Sequence, residues 1–151
     1  MYTGKCHCGN ARYQYTGHPI TCYLCHCKKC QRSSGSAFSQ NLLVLTEDIQ
    51  LLSGKLQTKV YPDNKRQLQI HFCDVCVTLL WVNYADEDKY RSLQTGTLDT
   101  CHFEPIAQLW VSSATPWVQT DPSIPSFERQ PELATLIELW KNGQSHLFFN
   151  T

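Results

Sequence analysis

Along much of the chain apolar residues return at every second position in short runs, as in RQLQIHF (66–72) and LLWVNY (79–84). A period of two places alternate side chains on opposite faces of an extended backbone, so each run reads as a half-buried strand. The same pattern predicts strands at 11–15, 20–24, 37–45, 56–61, 90–95 and 108–113. The expected fold is mainly β, built from short antiparallel sheets that stack or close on one another. Helical periodicity is expected in two places. A short helix should run from near Lys28 to a stop at Gly35. A C-terminal one should span 131–143, with Pro131 at its start, Leu133, Leu136, Ile137 and Trp140 on one face, and Gly143 as its stop. Trp140 reads as core, and the Pro- and Ser-rich stretch 116–131 as a surface loop.

Composition narrows the class of protein. At 151 residues the chain is one domain's worth, and residues 1–151 are read as a single domain. Thirteen basic side chains balance thirteen acidic ones, so no bulk charge draws it to nucleic acid or an anionic membrane. The opening MYTGKCHCG lacks an apolar signal core and no run approaches a membrane span, so a soluble, cytoplasmic protein is expected.

What changes the picture is the cysteine count of nine. The number is odd, and Cys6/Cys8 and Cys25/Cys27 are too close in sequence to bridge comfortably to each other. Clustered thiols in a reducing compartment read instead as metal ligands. Seven fall into three groups: Cys6 and Cys8; Cys25, Cys27 and Cys30; Cys73 and Cys76. In an extended segment residues i and i+2 face the same way, so each CxC presents two sulfurs to one ion, and a CxxC turn does the same by folding back. Cys6, Cys8, Cys73 and Cys76 supply the four donors of a closed structural zinc. Cys25, Cys27 and Cys30 are then three donors with a position left for an outside ligand, the arrangement of a working zinc. Cys22 would make CYLCHCKKC a four-cysteine site. On a strand, however, Cys22 and Cys25 are an odd number of residues apart and face opposite ways, which favours a buried small residue over a fourth ligand. Cys101 is read in the same way.

The motifs GKCHCG (4–9), CHCKKCQRSSGSAFS (25–39), FCDVC (72–76), GTLD (96–99) and PIAQLW (105–110) together resemble the glutathione-dependent formaldehyde-activating family, which includes centromere protein V. The resemblance covers about residues 4–117. It implies a β-tent fold with two zinc ions per chain, one on the CxC and FCxxC cysteines and one on the CHCxxC cysteines. It also implies carbon–sulfur lyase chemistry, in which glutathione and formaldehyde form S-hydroxymethylglutathione. Two departures stand out. Val77 follows FCxxC where the family usually has glycine in a positive-φ turn, and Gln108 stands in a segment where the family often has histidine.

The function expected from this is a zinc-dependent enzyme holding a small glutathione-like thiol as thiolate, for addition to an aldehyde. Lys28, Lys29 and Arg32 could receive its carboxylates, or form a solvated helix face. His26 and His7, each between two ligand positions, should turn their rings away from the metal, and Asp99 should stabilise a turn. Ser33, Ser34 and Ser36 should shape the turn around Gly35. The competing function is a non-catalytic zinc module that binds a protein partner, with Trp81, Trp110 and Trp117 as an aromatic patch.

Overall fold

The computed structural model describes residues 1–100 and 102–144. Its strands are β1 (Tyr2–Lys5), β2 (Arg12–Tyr15), β3 (Thr21–Cys25), β4 (Ser39–Leu45), β5 (Ile49–Ser53), β6 (Leu56–Asp63), β7 (Arg66–Cys73), β8 (Leu79–Tyr84), β9 (Glu87–Gln94), β10 (Gln108–Leu109) and β11 (Ser126–Phe127). Helix α1 (Lys28–Ser34) follows β3, and α2 (Leu133–Gln144) comes last. The protein is therefore mainly β, with a short helix after the CHCKKC motif and a second helix toward the C-terminus. Cys101 lies outside the described residues.

The chain divides into two compact units. One is Met1–Pro19 with Leu42–His102; the other is Ile20–Asn41 with the chain from Phe103 onward.

In the first unit β1, β2 and β5 form an antiparallel sheet, and β6, β7, β8 and β9 pair antiparallel in chain order. Asp63 pairs with Arg66, so Asn64 and Lys65 alone turn the β6–β7 hairpin, with Asn64 at φ 56°. Two-residue hairpin turns need positive φ, and asparagine tolerates it. In β8 the neighbours Leu80 and Trp81 are both buried, so neither face of this strand is open to solvent there, and Tyr13, Tyr15 and Leu93 are fully buried as well. The Tyr13 ring meets Trp81 edge-on at 5.7 Å, and its hydroxyl donates to Thr97 Oγ1 at 2.8 Å. This contact gives the GTLD segment a structural task.

In the second unit β3 lies between β4 and β10. Antiparallel pairing fails here: β10 runs parallel to both β3 and β11, with Leu109 opposite Cys25 and Phe127. The alternating run at 108–113 yields only two strand residues because Trp110 turns into the left-handed region at φ 60°, and Val111–Ser113 follow as a 3-10 turn. Helix α2 begins two residues after Pro131 and continues through Gly143, the residue expected to stop it. Leu136 and Trp140, four apart on one face, are buried as the period requires, and Leu136 packs with Ala107 and Leu109.

Candidate metal centres

The first cysteine group is assembled from two turns of the first unit. Cys6 and Cys8 lie beyond β1, and Cys73 and Cys76 form the turn from β7 into β8. Their four sulfurs all lie within 4.8 Å of one another, with Cys6–Cys8 at 3.5 Å and Cys8–Cys73 at 3.9 Å. Sulfurs at about 2.3 Å from a tetrahedral zinc stand about 3.8 Å apart, so the spacing suits such an ion.

The surroundings suit thiolates. Ala11 N–H donates to Cys6 Sγ at 3.2 Å and Val75 N–H to Cys73 Sγ at 3.4 Å. Thr78 Oγ1 accepts from His7 N–H at 3.1 Å, which leaves its hydrogen for Cys76 Sγ at 3.1 Å. The Thr78 hydroxyl, with backbone N–H groups of Cys8 and Thr78, lowers the Cys76 thiol to about 5. Cys73 is likewise held below the ordinary thiol range, first by the N–H of Cys76 and then by that of Val75. Val77 sits at φ 61° and donates its N–H to the Cys73 carbonyl at 3.1 Å. The positive-φ turn is thus kept without the glycine, and the β-branched side chain carries the strain.

The second group lies in the second unit at a strand–turn–helix junction. Cys25 ends β3, Cys27 caps α1, and Cys30 lies one turn into the helix. The three sulfurs lie within 4.8 Å of one another, with Cys25 buried and the other two partly exposed. Cys30 N–H donates to Cys27 Sγ at 3.4 Å, and Gln31 Nε2 ties the turn to the carbonyls of His26 (2.6 Å) and Ser113 (2.9 Å). Gly35 closes α1 at φ 63°, as a left-handed C-cap does.

Hydrogen bonds from the Cys25 and Cys30 sulfurs, then the N–H groups of Cys30 and Lys29, pull the Cys27 thiol down to about 2. Hydrogen bonding with Cys27 and Cys30, and burial, push Cys25 up. Thiolate character is thus favoured at Cys27 over its two neighbours, and a bound cation would compete with protons for all three sulfurs. Both clusters could hold metal ions.

Cys22 is fully buried and turned elsewhere. Its sulfur accepts from Gln40 Nε2 at 3.5 Å and points its hydrogen at the Phe103 carbonyl at 3.8 Å. The remaining motif residues sort as follows. His7 is exposed. His26 is fully buried with neither ring nitrogen hydrogen-bonded, its ring 5.3 Å from that of Phe38, so a surface role is excluded; burial lowers its pKa. Asp99 accepts from Thr3 Oγ1 at 2.9 Å and pairs with Lys5 at 3.2 Å. Ser33 and Ser34 donate to the carbonyls of Cys30 and Phe38, which shapes the turn as expected.

Gln108 is 1% exposed and spends its amide on the backbone. Its Nε2 donates to the Asp121 carbonyl at 2.8 Å, and its Oε1 accepts from Asp121 N–H at 3.1 Å. It therefore anchors the loop that begins at Asp121. The aromatic patch is not assembled: Trp81 is buried, Trp110 half-buried, and only Trp117 stands out, at 77% exposure. The depth to which His26 and Asn41 are buried carried no signal in the sequence.

A sequence profile described as glutathione-dependent formaldehyde-activating enzyme matches residues 1–113, a stretch that contains all seven clustered cysteines. Among curated proteins no sequence matches significantly. A crystal structure of a Rhodobacter sphaeroides protein superposes with a TM-score of 0.53 at 13% identity, covering 82% of this chain and 98% of that one, a likeness of fold alone. Among the described residues no helix is long and apolar enough to cross a membrane.

Proposed function

The chain belongs to the glutathione-dependent formaldehyde-activating enzyme family, and on that premise we propose that it is a zinc-dependent carbon–sulfur lyase-type enzyme acting on a small, glutathione-like thiol and an aldehyde. Cys25, Cys27 and Cys30 would hold the working zinc. Cys6, Cys8, Cys73 and Cys76 would hold a second, structural one. The observation that carries this reading is the grouping of three sulfurs while Cys22 is engaged with Gln40 and Phe103, which leaves a fourth position for an outside ligand.

A zinc ion on three thiolates is a soft receptor for a further sulfur and favours the thiolate form of a thiol brought to it. The residues do the rest. Cys25 fixes the cluster to the end of β3, and Gln31 holds the turn that presents Cys27 and Cys30. Lys28 and Arg32 stand exposed on α1 and would attract the carboxylates of a glutathione-like tripeptide, with Lys28 Nζ at present 3.1 Å from Gln31 Oε1. In the forward direction the thiolate lone pair forms a bond to the aldehyde carbon, the C=O π pair moves to oxygen, and that oxygen takes a proton. The reverse reaction breaks the same carbon–sulfur bond.

The four-cysteine zinc would tie residue 6 to residue 76 and stabilise the first unit. The eight described cysteines are all free thiols, which suits a reducing compartment and supports the cytoplasm as the setting.

The test is to follow ¹³C-formaldehyde and glutathione by exchange NMR. Zinc-loaded protein should accelerate their interconversion with S-hydroxymethylglutathione, and the Cys27→Ser variant should not. No acceleration over buffer by the loaded wild-type protein would contradict the proposal.

A further inference from the structure

A cleft of about 210 Å³ opens within the first unit, between β5 of the three-stranded sheet and β7, β8 and β9. Ile49 and Leu51 line it from β5, Thr46 from the turn before β5, and His71, Trp81 and Arg91 from the other three strands. The register brings those last three together. His71 pairs with Trp81 and Trp81 with Leu93; residues directly opposite share a face, and Arg91, two before Leu93, returns to it.

Behind the cleft a buried amide fixes the polar wall. Asn83, 5% exposed, donates its Nδ2 to the Tyr84 carbonyl and to Gln69 Oε1, each at 3.1 Å. A carbonyl only accepts, so the atom that meets His71 Nε2 at 2.7 Å and Arg91 Nη1 at 2.8 Å must be Asn83 Oδ1. His71 Nε2 therefore carries a hydrogen, and it stands 3.2 Å from Arg91 Nη1 as a second donor on one neutral oxygen. Thr46 spends its own hydrogen on the Asp88 carbonyl. Arg91 is left as the lining residue with N–H groups to offer, since a guanidinium has five and its bonds to Asn83 and Asp88 take two. Its ion pair with Asp88, at 2.7 Å, joins a side chain 15% exposed to one 71% exposed, so water screens the pair and the charge in the wall is loosely compensated.

The opposite wall is apolar. Leu51 is left 40% exposed on β5, and Ile49 and the Trp81 ring continue the surface inward. A cavity of about 150 Å³ holds a benzene molecule, so this cleft has room for a ring-sized body and a carboxylate beyond it. A planar guanidinium fork matches a carboxylate, and one cation balances one negative charge.

We propose that this cleft is a second binding site, separate in its residues from both cysteine clusters, for a small monocarboxylate with an apolar, ring-sized body. The carboxylate would sit on Arg91 and the body against Trp81, Ile49 and Leu51. Asn83 is a positioning residue that holds Arg91 toward the cleft.

The probe is phenylacetate, titrated into the metal-loaded full chain and followed by NMR at the Trp81 indole N–H and Arg91 Nε–H signals. Both should shift saturably. Phenylacetamide, which lacks the charge, and acetate, which lacks the ring, should each bind at least about tenfold more weakly, the size expected for one hydrogen bond to a charged group or for burying a ring. Arg91→Gln should lose about tenfold in affinity by the same reasoning. Leu51→Asp, a change at an exposed position that sets a like charge beside the ligand, should also weaken binding and decides the matter if Arg91→Gln fails to fold. The proposal is overturned if phenylacetate up to about 10 mM moves neither signal. It is equally overturned if phenylacetamide or acetate binds as well as phenylacetate, or if Leu51→Asp binds like wild type.

Discussion

Gly9 and Val77 occupy matching places in the two turns that build the four-cysteine group. Each directly follows the second cysteine of its pair, each donates its N–H to the carbonyl of the first, at 3.0 and 3.1 Å, and each lies at positive φ, 75° and 61°. One position has the residue suited to that conformation; the other has a β-branched residue that is not.

Val77→Gly should therefore stabilise the protein. A left-handed backbone costs a side-chain-bearing residue about 1–2 kcal/mol, and glycine gives back about 0.5–1 kcal/mol through chain entropy. The expected gain is about 0.5–1 kcal/mol, read from urea denaturation of metal-loaded protein. Gly9→Ala should lose about 1–2 kcal/mol by the same conformational cost. Space is not the obstacle there, because the nearest atom to a Cβ would be Arg12 Nη2 at 3.5 Å.

The two clusters should differ in what they contribute. Cys73→Ser breaks a group that joins residues far apart in sequence, and should cost more than about 4 kcal/mol or abolish cooperative unfolding. Cys27→Ser, at a helix cap, should change stability by about 1 kcal/mol while lowering metal content and thiol binding. Similar losses from both variants would contradict the assignment of one structural and one working site.

Gln108 should prove to be an anchor. Gln108→Leu leaves the Asp121 carbonyl and N–H without their partners, and a buried unsatisfied group costs about 1–3 kcal/mol. The expected result is a loss in that range, faster hydrogen exchange over 119–126, and metal content equal to wild type. Loss of metal from the variant would give Gln108 a place in the site.

Much of this was legible in the sequence for physical reasons. The CxC and CxxC spacings made the cysteine groups visible because they force neighbouring sulfurs together, and β7 and β8 were visible because they are rich in apolar and β-branched residues, although their burial does not strictly alternate. The odd separation of Cys22 and Cys25 forecast that Cys22 would turn away. Other features had no period to display. β5 (IQLLS) exposes both Leu51 and Leu52, so its apolar residues do not mark a buried face. β10 and β11 are two residues each, and their parallel pairing depends on residues far apart in the chain. Alternation gave the direction of His26 but not its depth.

The most direct measurement is a glutathione titration of cobalt-substituted protein, followed through the sulfur-to-cobalt charge-transfer absorption. A three-thiolate site predicts a saturable increase at one glutathione per chain as a fourth sulfur joins, absent in Cys27→Ser. A spectrum that already shows four thiolates at both clusters, and that glutathione leaves unchanged, would contradict the open site at Cys25, Cys27 and Cys30.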